Sequence, residues 1–106
     1  MNNRETLELA AKAAGLTGEY RFDGYGEGCF VALDGSRFNP LTDDGDALRL
    51  AVKLSLTIHQ WAEETCVCNV SGTINEAVSF NEAICKLEAT RRAIVRAAAE
   101  IEKAMK

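Results

Sequence analysis

The residues with chemical potential in this chain are few, and each lacks a partner that its chemistry would need. His59 is the single histidine. Nucleophilic catalysis would pair it with an activated hydroxyl or thiol and with an acid. Ser55, Ser71 and Cys66 stand near it in sequence, but no G-x-S-x-G turn frames any of them. On a strand pattern His59 shares a face with Thr57 and Trp61, which reads as a polar-tipped residue on a partly exposed strand. The four cysteines are Cys29, Cys66, Cys68 and Cys85. Cys66 and Cys68 lie one strand period apart. Zinc sites use C-x-x-C knuckles or paired histidines, so a lone C-x-C predicts small, buried, free thiols instead of a metal centre.

Gly24-Tyr25-Gly26-Glu27-Gly28 has the glycine density of a phosphate loop. It leads into the apolar run Cys29–Leu33, however, and not into a helix N-terminus, so it predicts a hairpin tip with Tyr25 as an exposed anchor. Asp43, Asp44 and Asp46 suggest a metal cluster, but a calcium loop needs a longer series of oxygen ligands. Helix capping accounts for all three. The remaining candidates lie on one C-terminal helix. At 100° per residue Arg92, Arg96 and Lys103 form a solvent-facing basic stripe, with Glu88 placed to pair with Arg92. Arg91 falls inside the apolar arc. Its stem can cover the core with the guanidinium reaching out, or it can meet a buried carboxylate or a pocket. Trp61, Tyr25 and these four cations, Arg91, Arg92, Arg96 and Lys103, are the candidate binding residues. No catalytic residue, metal ligand or cofactor is expected.

The elements that position them follow from periodicity. Residues 4–14 form a helix stopped at Gly15, with a further breaker at Gly18. Period-two alternation begins at Glu19, with Tyr20 and Phe22 on one face. Cys29–Leu33 is apolar on both faces, as in a central strand. Asp34-Gly35 predicts a type I′ hairpin to a short strand at Arg37–Asn39, ended by Pro40. A second helix opens at Thr42–Asp46, capped by Thr42 or Asp43. Only Arg49 and Lys53 interrupt its apolar run from Ala47 to Leu54. That predicts a deeply buried helix between a sheet and another helix. Strands follow at Leu56–Trp61 and Thr65–Val70, with Ser71-Gly72 as turn chemistry and a short strand at Glu76–Phe80. Asn81 is placed to cap a last helix running to about Met105, its apolar arc formed by Ile84, Leu87, Ile94, Val95, Ala98, Ile101 and Met105. Ala93, Ala97 and Ala104 offer a smooth surface for helix packing or a homodimer. The expected fold is α+β, in the order α-β-β-β-α-β-β-(β)-α. It is one domain over residues 1–106, with a mostly antiparallel sheet of four to six strands and three helices.

Composition narrows the function. The chain has 106 residues and a net charge of −4, with 47% hydrophobic and 26% charged residues. That is globular composition at single-domain length. Residues 86–106 hold six basic residues against three acids, a net of +3, and residues 1–85 carry −7. The overall sign opposes a nucleic-acid footprint. No apolar run is long enough to cross a bilayer, and the N-terminus lacks a signal-peptide pattern, which predicts a cytoplasmic protein.

Two stretches carry a family resemblance. FNPLTDDGDALRLAVKL (Phe38–Leu54) and TRRAIVRAAAEI (Thr90–Ile101), with a good likeness also around Arg4–Gly15, resemble uncharacterised bacteriophage and prophage proteins with a phage alpha-beta-alpha sandwich domain. Those proteins often carry tryptophan where Phe38 stands here. Residues 60–82 do not share the likeness. The resemblance implies a phage origin, the cytoplasm of a host bacterium, and the fold; it brings no catalytic residues. Together with the residue reading it leads to a non-enzymatic accessory protein that binds a host protein. Counter-defence, such as inhibition of a CRISPR or other anti-phage system, is the natural example. The alternative is a small-ligand binder that sequesters a nucleotide second messenger, with Arg91, Arg92 or Arg96 on phosphate and Tyr20, Tyr25 or Trp61 on the base.

Overall fold

The computed structural model describes residues 3–21, 28–82 and 85–104. Three helices and six strands alternate in an α+β order: α1 (Asn3–Ala13), β1 (Gly18–Arg21), β2 (Cys29–Ala32), β3 (Arg37–Phe38), α2 (Asp44–Lys53), β4 (Thr57–Gln60), β5 (Glu64–Cys68), β6 (Asn75–Ser79) and α3 (Lys86–Ala104). A 3₁₀ turn, Phe80–Glu82, precedes α3. All pairings are antiparallel, as expected, but the strands divide into two meanders of three, β1-β2-β3 and β4-β5-β6. Each is built only from sequence neighbours, so each closes locally.

Helix ends follow the sequence at one site and depart from it at another. Gly15 adopts φ +80° after α1. Its N–H donates to Lys12 O, and that of Leu16 donates to Ala11 O. This double bond satisfies carbonyls that the helix leaves over. The same pattern ends α2, with Ser55 N–H to Val52 O and Leu56 N–H to Ala51 O. There the left-handed residue is Ser55, φ 54°, where glycine would be the relaxed choice. Asp43 caps α2, its side chain accepting from Asp46 N–H at 2.8 Å. The β2–β3 turn is not type I′. Ala32 O accepts from Gly35 N–H, and only Gly35 has positive φ, so the loop has three residues with glycine in the left-handed position. The Ser36 hydroxyl, and then the Ser36 N–H that donates to the Asp34 side chain, hold the Asp34 carboxyl below its ordinary value.

The buried hub is α3, which corrects the expectation for α2. α3 contacts α1, α2, β5 and β6, so it is the helix between a sheet and other helices. Its buried residues are Ala89, Ala93, Ile94, Val95, Ala97, Ala98 and Ala99. Alanines let the axes approach closely, and α1 answers with Ala10 and Ala11, followed by Ala14 just past its end. Ala93 and Ala97 are thus consumed inside the chain instead of forming a dimer surface, while Ala104 is exposed. α2 buries only Ala47, Leu50 and Ala51; Leu48 and Val52 are 61% and 70% exposed. The α3 start also moves. Asn81 lies in the 3₁₀ turn, and Cys85 O accepts the first helical bond, from Ala89 N–H. Leu87, expected in the apolar arc, is exposed in the first turn. Ile84, Met105, Phe22 and Asp23 lie outside the described residues. One apolar cluster joins both sheets and all three helices, with Phe30 and Phe38 in edge-to-face contact from the first sheet and Val67 and Val78 from the second.

Candidate functional site

The second sheet has two unlike faces, and period-two alternation sorts its residues between them. Thr65, Val67 and Val78 are buried against the core. Gln60 joins that side, its side-chain amide donating to Thr65 Oγ1 and Thr90 Oγ1, both at 2.9 Å. The opposite face is set by register. His59 pairs with Cys66, which pairs with Ala77; Thr57 pairs with Cys68, which pairs with Asn75. His59, Thr57, Glu64, Asn75 and Ala77 are exposed and the two cysteines half-buried, so this face meets solvent.

Trp61 stands at the end of this face, 59% exposed. Its backbone is fixed: Trp61 N–H donates to Glu64 O at 2.8 Å, and Phe80 N–H donates to Glu63 O at 2.9 Å. Its ring is oriented by His59, stacked at 6.0 Å between centroids and 16° between planes. A shallow open depression lies beside the indole, lined by Trp61, Ala62, Glu63 and Glu64. An aromatic ring held in place by backbone and neighbour is a low-entropy contact surface.

All four cysteines are free, with Cys29, Cys66 and Cys68 half-buried and Cys85 exposed, so the expectation of full burial is corrected. Burial pushes the Cys66 thiol up, the neighbouring Cys68 and Glu64 add to this, and the bond it donates to Asn75 Oδ1 opposes it. A thiol held protonated neither attacks nor binds metal readily. Among the described residues no three His, Cys, Asp or Glu side chains are grouped as metal ligands.

The basic candidates lie elsewhere and are engaged. Arg91, with a side chain 17% exposed, donates from Nε to Leu41 O at 2.8 Å and from Nη1 to Asp44 Oδ1 at 2.5 Å. It clamps the start of α2 onto α3, so of the alternatives read from sequence it meets a carboxylate. Arg92 pairs with Glu88 at 2.6 Å, and Lys103 with Glu100 at 3.4 Å. Arg96 and Lys103 also lie near Glu76 of β6. Burial raises the Glu76 carboxyl and the Glu100 charge raises it further, while these two cations pull it down. Of the stripe expected to face solvent, Arg92 and Arg96 are half-buried and Lys103 is exposed. Tyr25, with Gly24, Gly26 and Glu27, lies outside the described residues. Tyr20 accepts from Gly28 N–H at 3.0 Å and stacks beneath the Arg4 guanidinium.

Asp43, Asp44 and Asp46 act in capping and pairing. Besides its cap contact, Asp46 accepts from Asn39 N–H at 2.9 Å and from Arg49 at 2.6 Å. A small cleft of about 190 Å³ lies here, lined by Asp46 with Ala14, Leu16, Phe38, Leu50, Arg49 and Lys53. It is smaller than the usual ligand site, and its cations are not the arginines named from sequence.

Sequence reasoning named Trp61 and put it on one strand face with Thr57 and His59, but missed the charge of the tract that carries it. A signal was present. Residues 54–85 contain no lysine or arginine and hold Glu63, Glu64, Glu76 and Glu82, so this tract carries −4. Among the described helices none is long and apolar enough to cross a membrane. No protein-family model matches the chain, and no curated protein or solved structure is found to be similar to it.

Proposed function

We propose that this protein is a non-enzymatic binding module that docks another protein on the solvent-facing side of its second sheet. One observation carries the reading: Trp61, exposed yet held by His59 and by the β4–β5 connection, stands on a sheet face with no cation in its sequence. Exposed, rigid tryptophans supply a large share of interface energy, and an antiparallel sheet face is a flat platform for the surrounding contacts. The likeness of residues 38–54 and 90–101 to bacteriophage proteins supplies the setting. The partner would be a host protein in the bacterial cytoplasm, and the action counter-defence, with a component of a CRISPR or other anti-phage system as target.

The nucleotide-sequestering alternative draws less support. It needs Arg91, Arg92 or Arg96 for phosphate, and Arg91 and Arg92 are held by Asp44 and Glu88. Affinity purification of the tagged chain from a bacterial host tests the choice, with bound proteins and bound nucleotides both measured. The expected result is a protein in a fixed, near-equimolar ratio that Trp61→Ala fails to retain. A nucleotide released on denaturation, or a partner retained equally by Trp61→Ala, would overturn the reading.

A further inference from the structure

We infer that the group received beside Trp61 is a cationic side chain, an arginine or lysine projecting from the partner protein. This rests on the docking reading above and specifies its chemistry. Three observations converge. The open depression beside Trp61 is lined by Ala62, Glu63 and Glu64 as well, so an indole and two acidic residues border the same space. Neither glutamate has an ion pair with the chain's described cations, whereas Glu88 and Glu100 on α3 each hold one. The tract 54–85 has no lysine or arginine of its own to fill the space, although the chain carries 12 elsewhere.

Charge complementarity therefore selects the occupant. A guanidinium stacks on an indole through the ring quadrupole and at the same time donates to carboxylates at the ring edge. An acidic group would meet like charge, and a neutral apolar group would leave both carboxylates without a partner. The stack on His59 holds the indole plane in place for such a guest.

Trp61 is the only tryptophan, so intrinsic fluorescence reports on this site alone. The test titrates the intact protein with acetylated, amidated tri-arginine, tri-lysine, tri-glutamate and tri-glutamine peptides at low ionic strength. Tri-arginine is expected to give the tightest saturable change, tri-lysine a weaker one, and the other two none. Glu63→Gln and Glu64→Gln should each weaken tri-arginine by about threefold, and raising salt to about 0.5 M should weaken it further. Both positions are exposed, so the variants fold. An equal response to tri-glutamine, or indifference to both glutamate variants, would overturn the inference. In that case a protein partner still lost on Trp61→Ala would leave the docking reading intact. Retention of that partner by Trp61→Ala would remove the docking reading itself.

Discussion

The two meanders have the same strand count and the same neighbour-to-neighbour order, yet they are used differently. The first turns its aromatic residues inward. Phe30 and Phe38 meet edge-to-face at 6.5 Å in the core, and Tyr20 is held between Arg4 and the Gly28 amide. It also carries its own cations, Arg21 and Arg37, and Arg21 pairs with Glu19 at 3.1 Å. The second sheet fills its inner face with Val67, Val78 and Thr65, and puts its large aromatic outside on a strand pair with acids but no lysine or arginine. An apolar ring inside one sheet stabilises the fold. A ring outside the other contributes little to folding and is available to a partner.

Truncating one aromatic in each sheet separates those roles most sharply. Phe30→Ala, at a site 4% exposed, should cost about 3–5 kcal/mol in chemical denaturation. Trp61→Ala should cost less than about 1 kcal/mol and abolish partner capture. Comparable losses at both sites would erase the distinction between the sheets.

Arg91 gives the next largest effect. Replacing it with Leu leaves Leu41 O without its donor and Asp44 without its partner, at a cost of about 1.5–3 kcal/mol by thermal melting. Asp44 is well exposed and can turn to water, so Asp44→Asn should cost less than about 1 kcal/mol. Binding should survive both substitutions if Arg91 is a clamp. Lost binding with an unchanged melting temperature would return it to the list of contact residues.

Ser55→Gly should stabilise the protein by up to about 1 kcal/mol, because it relaxes a left-handed residue at the end of α2. A loss of stability would mean that the serine side chain has a role beyond the turn.

The smallest effect concerns pH. The folded-state carboxyl of Glu76 is raised, chiefly by burial. The native state then holds this proton more tightly than the unfolded chain, so this residue's contribution falls as pH rises from its ordinary value near 4.5 through the folded value. Glu76→Gln should raise the melting temperature slightly at pH 7 and change nothing at pH 3. The reverse ordering of those two differences would place Glu76 in a stabilising pair with Arg96 or Lys103.

The same contrast between inside and outside governs what the sequence could disclose. Helix and strand positions were readable, because Gly15, Pro40 and Asp43 mark boundaries through backbone chemistry that acts locally. Burial was not. α2 reads as apolar nearly all round, yet only Ala47, Leu50 and Ala51 are buried. α3 reads as an arc of Ile84, Leu87, Ile94, Val95, Ala98, Ile101 and Met105, yet alanines make most of its buried face, because small residues sit where helices approach most closely. Both outcomes depend on which elements pack together, which periodicity does not encode. The α3 start was misplaced because Asn81 has the right type for a cap but is taken up by the 3₁₀ turn. For the candidate site, Trp61 was visible by type. So was its strand face, shared with Thr57 and His59; the cross-strand neighbours Cys66 and Ala77 were not, because placing them beside His59 requires the register of three strands.

The most direct test of the docking account is a calorimetric titration of the co-purified partner with three proteins: the wild type, Trp61→Ala, and the double variant Arg92→Ala/Arg96→Ala. Docking through Trp61 gives saturation near one equivalent for the wild type, at least about tenfold weaker binding for Trp61→Ala, and a change within about twofold for the double variant. Unchanged affinity for Trp61→Ala, with binding lost in the arginine variant, would move the interface to α3 and contradict the account.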